Sequence, residues 1–215
     1  MKRFSGFGHI SRGDVVVFNF PYQNYHSEWD TIRMNLNMFF VKRCIGLPGD
    51  SLSVIDGFYH IEGVTDLTGN LSGQNQLSKS ANNLDSAFFF TIPFDSSFNW
   101  NVLNLGPFYI PAKGKTIPLT PSNYILYGKQ IIYETQSQIT IKNSSIYIND
   151  TLVNEYTFRN NWYFMVGDNV MNSQDSRHIG LIPEKYIVGK AFAFLYSKDM
   201  RTKKYRWNRL FKNIK

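Results

Sequence analysis

Two stretches of the chain place reactive side chains where ordinary packing would not ask for them. The first is Phe39-Phe40-Val41-Lys42-Arg43-Cys44-Ile45-Gly46-Leu47-Pro48-Gly49-Asp50. Strand alternation sets Phe40, Lys42 and Cys44 on one face and Val41, Arg43 and Ile45 on the other. An amine held beside an aromatic ring and a thiol on an apolar face is costly to keep charged. Desolvation lowers its pKa and leaves a neutral amine, a usable general base. The plainer reading is a lysine that snorkels at a strand edge, and on this feature alone the plainer reading wins. The second stretch runs from Gly167 to Pro183 and lies between two apolar segments. It offers hydroxyls at Ser173 and Ser176, a carboxylate at Asp175 and a guanidinium at Arg177. Asp175 and Arg177 are spaced to pair and stiffen the loop. A hydroxyl so held can orient a neutral lysine amine. By itself, this loop too reads more simply as a polar connection that satisfies its own backbone.

Both stretches need strands to hold them. Residues 14–20 and 38–47 are rich in β-branched and aromatic residues and end at Pro21 and Pro48-Gly49-Asp50. Residues 51–55 form a third strand that turns at Asp56-Gly57. Residues 139–149 alternate as a hairpin, with Ile139 and Ile141 in one arm and Ile146 and Ile148 in the other. Residues 162–166 and 187–196 give two more strands. Residues 62–86, rich in Gly, Ser, Asn and Gln, read as loop. Residues 87–127 carry five prolines between short apolar pieces, and Tyr109–Lys115 reads as a strand end followed by a turn. Long helical periodicities are nearly absent, so the expected fold is all-β and mostly antiparallel.

Composition closes off several classes of function. The chain has 215 residues, 43% of them hydrophobic and 16% aromatic, enough for an ordinary core. The longest uncharged apolar runs fall far short of the ~18–20 residues of a membrane span. The start, Met1-Lys2-Arg3 before Gly, His and Ser, is not a secretory signal. A single cysteine and four scattered histidines give no disulfide framework and no metal-ligand spacing, so neither metal nor cofactor is expected. The net charge of +7 sits wholly in residues 198–215, which hold eight Lys/Arg and one Asp. The rest is neutral, which argues against nucleic acid as a partner. In that tail Trp207, Leu210, Phe211 and Ile214 recur at i, i+3, i+4 and i+7 with cations between them. The pattern predicts a short basic amphipathic helix, suited to an anionic membrane surface or simply packed on the body.

Taken together, the segments resemble a known family. Arg12-Gly13-Asp14-Val15-Val16-Val17-Phe18, then Val41–Asp50, then Gly167-Asp168-Asn169 with Asn172–Arg177 are similar to three ordered boxes of bacterial type I signal peptidase. The likeness continues through Ile182-Pro183-Glu184 and 187–191. Gly106–Pro111 and Arg206–Arg209 resemble the Bacteroidetes branch.

The resemblance implies a membrane-anchored serine endopeptidase with a Ser–Lys dyad. It would remove signal peptides from exported preproteins on the outer face of the cytoplasmic membrane. Lys42 matches the general base and Ser173 the serine that orients it. Asp175 and Arg177 match the supporting ion pair, and Phe40 and Val41 match positions that line the substrate pocket. The implied fold is a β core shared with LexA-type proteases, expected over 1–56 and 157–197, with a large β insert over 57–156.

Two departures stand out. The family's nucleophile lies in a Ser-Met-x-Pro box after a membrane helix, and this sequence contains neither; Ser5 and Ser11 precede the first box without matching it. The nucleophile and anchor are therefore expected from outside this chain. The alternative is an inactive or split fragment that docks preproteins or a membrane. The second departure is Val170-Met171, where the family usually has a polar pair. A LexA-type repressor would need a helix-turn-helix, which is not visible. A Ser/His/Asp triad through His178 is the remotest reading, because Asp175 and His178 share one short loop.

Overall fold

The computed structural model describes residues 8–25, 29–83, 90–193, 195, 197–199, 202–207 and 211–214. Ser5, His26, Arg209, Leu210 and Lys215 lie outside the described residues. The chain is mostly β and antiparallel. Its main sheet has five strands in the order β12-β11-β2-β1-β13. These are β1 (Val15–Asn19), β2 (Phe39–Gly46), β11 (Trp162–Val166), β12 (Ile182–Pro183) and β13 (Ile187–Lys190). A second sheet joins β3 (Ser51–Ile55), β4 (Phe58–Ile61) and β5 (Leu105–Tyr109). Two smaller sheets pair β6 (Thr116–Pro118) with β10 (Glu155–Thr157), and β7 (Ile139–Lys142) with β8 (Ser145–Ile148) and β9 (Thr151–Leu152).

The expected strands at 14–20, 38–47, 51–55 and 162–166, the turn at Asp56-Gly57 and the hairpin at 139–149 all form. The strand expected over 187–196 is shorter and stops at Lys190. The core lies between the main and second sheets. Val16, Phe18 and Phe20 meet Cys44, Leu52, Trp162, Phe164 and Ile182 there, all at 0% exposure. β11 is buried along its whole length, which is why it reads as an unbroken apolar run rather than an alternating one.

Three expectations need correction. Residues 62–86 are not simply loop, because they contain helix α1 (Leu71–Lys79). Its sequence is a poor helix former, with one glycine, two serines and one asparagine in nine residues, so propensity gave no signal. Packing holds it instead, through the buried Gln74 and Leu77. The proline-rich segment leads into helix α2 (Pro121–Thr135). Thr120 caps it by accepting from Asn123 N–H, and Pro121 occupies the first turn. Its Tyr and Ile residues imitate strand composition. The tail is not an amphipathic helix in its described residues. Asp199 accepts the Thr202 N–H, and the chain doubles back to bridge Lys198 with Tyr205 and Ala193 with Asn213. Phe211 has φ of 53°, incompatible with an α-helix.

Candidate active site

The register of β1 against β2 decides where Lys42 points. Val16 lies opposite Lys42 and Phe18 opposite Phe40. Residues opposite one another in an antiparallel pair share a face, and Val16 and Phe18 are fully buried. Lys42 therefore stands on the core side of the sheet. Its Nζ lies 5.3 Å from the centroid of the Phe40 ring and donates to Ser173 Oγ at 2.9 Å. Burial pushes the amine below the ordinary lysine range; the Asp175 carboxylate opposes this and the Arg177 charge adds to it. Val41 is on the opposite face, 55% exposed, and is not brought to the amine.

β11 delivers the loop that carries Ser173. At Gly167 a Cβ would stand 2.0 Å from Ser173 Oγ and 3.2 Å from Lys42 Nζ. A side chain there would occupy the space that the two groups share. Asp168 then takes two hydrogen bonds from Arg43, at 2.8 and 2.7 Å, and Arg43 donates a third to Gly13 O. This clamp links the end of β2 to the start of the loop. A 3-10 turn at Val170–Asn172 leads to Ser173, and Asp175 caps the short helix α3 (Ser176–Ile179).

Asp175 and Arg177 are essentially unexposed. Arg177 donates to the carboxylate from Nε and Nη2, both at 2.9 Å, and from Nη2 to Val170 O at 3.0 Å. Gly167 N–H donates to Asp175 Oδ2 at 3.0 Å. Burial alone would raise the Asp175 pKa. The Arg177 charge and hydrogen bonds, the Gly167 N–H and the Ser173 hydroxyl outweigh it and hold the carboxyl below its usual range.

The Ser173 hydroxyl helps hold the Asp175 carboxyl down, and Lys42 Nζ donates to Ser173 Oγ. A neutral amine that donates there keeps its lone pair for another proton.

The other sequence candidates separate from this centre. Ser176 Oγ accepts the Met165 N–H at 2.9 Å and serves the backbone. Cys44 is fully buried; burial first, then Asp14 and Asp50, push its thiol up to about 12, so it is inert as a nucleophile. Asp175 is engaged by Arg177 and Gly167 rather than by the His178 ring, and only the His178 backbone N–H reaches it, through the Asp175 carbonyl. Burial lowers the His178 pKa. Among the described residues no group of three His, Cys, Asp or Glu could hold a metal ion.

Sequence reasoning missed the close approach at Gly167, the Arg43–Asp168 clamp and Asn70, which donates to Asp168 O at 2.7 Å. Val170, the odd residue in the loop, is buried against Leu77 of α1 and Val102.

Comparison with known proteins agrees with the geometry. The family model described as Signal peptidase, peptidase S26 matches residues 1–97 and 155–196, more than half of the chain. A signal peptidase I of Buchnera aphidicola subsp. Acyrthosiphon pisum (strain APS) is 29% identical over 199 residues, covering 88% of this chain and 55% of that protein. One from Aquifex aeolicus (strain VF5) is 25% identical over 189 residues, covering 86% and 63%. One from Helicobacter pylori (strain ATCC 700392 / 26695) is 25% identical over 236 residues, covering 100% and 71%. The chain thus spans little more than half the length of the first of these. With its matched segments carrying both Lys42 and the Ser173 loop, the chain belongs to the signal peptidase family, peptidase S26.

Proposed function

We propose that this chain carries the base-bearing part of a signal peptidase I, an endopeptidase that removes signal peptides from exported preproteins at the outer face of the cytoplasmic membrane. The observation that carries this reading is the 2.9 Å hydrogen bond from a half-buried, core-facing Lys42 amine to Ser173. A serine hydroxyl from a Ser-Met-x-Pro segment, which this sequence does not contain, attacks the scissile carbonyl. Neutral Lys42 takes its proton and passes it to the leaving amine. Ser173 orients Lys42, and the Asp175–Arg177 pair fixes Ser173.

The substrate adds to β2 as an extended strand. Cys44 N–H bonds toward β1, so by alternation the Val41 backbone groups face the other side. β11 pairs with β2 only from Arg43 onward, which leaves that side of Val41 without a partner strand among the described residues. Phe40, with its ring beside the Lys42 amine, borders the place where the reacting carbonyl must sit. In this reading 1–56 and 157–197 form the catalytic core and 57–156 the insert. The division is supported by a main sheet built only from 15–46 and 162–190. The cationic tail, with Trp207 and Phe211 exposed, meets the membrane surface.

The test is cleavage of a preprotein bearing an Ala-x-Ala site by the chain supplied with a Ser-Met-x-Pro segment. The Lys42→Ala variant should lose about 10²–10⁴-fold in rate. Undiminished cleavage by that variant refutes Lys42 as the base. Preprotein binding without cleavage by the wild type favours a docking module instead.

A further inference from the structure

Helix α1 takes no part in the chemistry just described, yet it is pressed against the loop that carries Ser173. Asn70 stands at the junction. Its Oδ1 accepts the Gly73 N–H at 3.3 Å and caps the helix, while its Nδ2 donates to Asp168 O at 2.7 Å. The first turn comes so close that a Cβ on Gly73 would lie 2.8 Å from Val170 Cγ2 and 3.1 Å from Asp168 O. Val170 is 3% exposed and forms a cluster with Leu77 and Val102, apart from the main core. Its carbonyl in turn accepts from Arg177. The loop is therefore tied to α1 at two points, Asp168 through Asn70 and Val170 through Leu77. The helix is itself fixed by the buried Gln74, which accepts the Tyr59 N–H at 2.9 Å and donates to Thr68 O at 2.8 Å.

We infer that α1 braces the lysine's loop and that Asn70 is a positioning residue for Lys42, acting through the Asp168 carbonyl and the 167–173 turn. The inference rests on the proposed role of Lys42. At Gly167 there is no slack between Ser173 and the amine, so displacement of Asp168 or Val170 moves Ser173 off Lys42 and admits water. The amine then titrates closer to a free lysine.

Asn70→Ser separates the cap from the tie. Serine caps a helix about as well as asparagine and adds no charge, but its hydroxyl is too short to cap and reach Asp168 O together. The readout is the pH titration of the Lys42 Cε resonance in the full chain carrying ¹³C-lysine, with Lys42→Met identifying the signal. In Asn70→Ser the midpoint should rise toward the ~10.4 of a free amine, with the melting temperature nearly unchanged. Val170→Ala, which loosens the second tie, should move it the same way and keeps the test decisive if the first variant does not fold. A lower melting temperature with an unmoved midpoint in the folded variants overturns the brace and leaves the role of Lys42 standing. A wild-type midpoint that is not depressed overturns both.

Discussion

At the scale of single residues, the site is a lysine–serine hydrogen bond set beside a buried ion pair. Arg177 holds Asp175, the Ser173 hydroxyl helps keep that carboxyl low, and Ser173 Oγ receives an N–H from Lys42. All four residues were legible in the sequence, because their types and order match a family pattern. Gly167 was not legible as a contact. The reason for a glycine lies in what its missing Cβ would strike, and that is a fact of three dimensions. Gly167→Ala places a methyl 2.0 Å from Ser173 Oγ, so Ser173 or Lys42 must shift. Misplacement on the order of 1 Å costs roughly 10²-fold in rate, and preprotein cleavage by this variant should fall by about that much. A wild-type rate would mean that the Lys42–Ser173 pair tolerates slack which the geometry does not allow.

At the scale of elements, the strands were legible where β-branched and aromatic runs end in turn residues, as at Pro21 and Pro48-Gly49. The helices were not. α1 is held by Gln74 and Leu77 rather than by its own propensity, and such support leaves no local trace. α2 carried a start signal at Thr120-Pro121, but its Tyr and Ile side chains imitate a strand and Gly128 interrupts the pattern. Its last turn matters to the site. Glu134 accepts from Tyr156 OH at 2.8 Å, Arg159 N at 2.7 Å, Asn160 N at 3.0 Å and Trp162 Nε1 at 2.9 Å. These donors lead into β11, which delivers Gly167. Glu134→Ala leaves them without their acceptor, and each buried orphan costs about 1–3 kcal/mol. We expect a loss of at least ~2 kcal/mol in urea unfolding; an unchanged midpoint would show that water replaces the carboxylate freely.

At the scale of the whole molecule, charge divides along the chain. The neutral body holds Lys42 and Ser173, and the excess of seven positive charges lies in 198–215. The chain returns antiparallel through the Ala193–Asn213 and Lys198–Tyr205 bridges, with Phe192 just before the tail and Trp207 and Phe211 within it each at least 70% exposed. A return of this kind displays cations and aromatics together, as the expected helix would have done. Each cation near an anionic bilayer is worth about 1 kcal/mol. The chain should bind phosphatidylglycerol vesicles with a blue shift in Trp fluorescence that Trp207→Ala diminishes, and 0.5 M salt should weaken binding through screening. Equal binding to neutral vesicles, or none to anionic ones, would contradict a docking role for the tail.

The central claim is that Lys42 reaches the reaction as a free amine. Burial disfavours its ammonium form, so its pKa in the folded chain lies below the unfolded value and the neutral fraction grows as pH rises through that lower pKa. Following the Lys42 Cε resonance of the wild-type chain through a pH titration measures this directly. A midpoint below ~10.4 is the predicted result, and a midpoint at or above that value would contradict it.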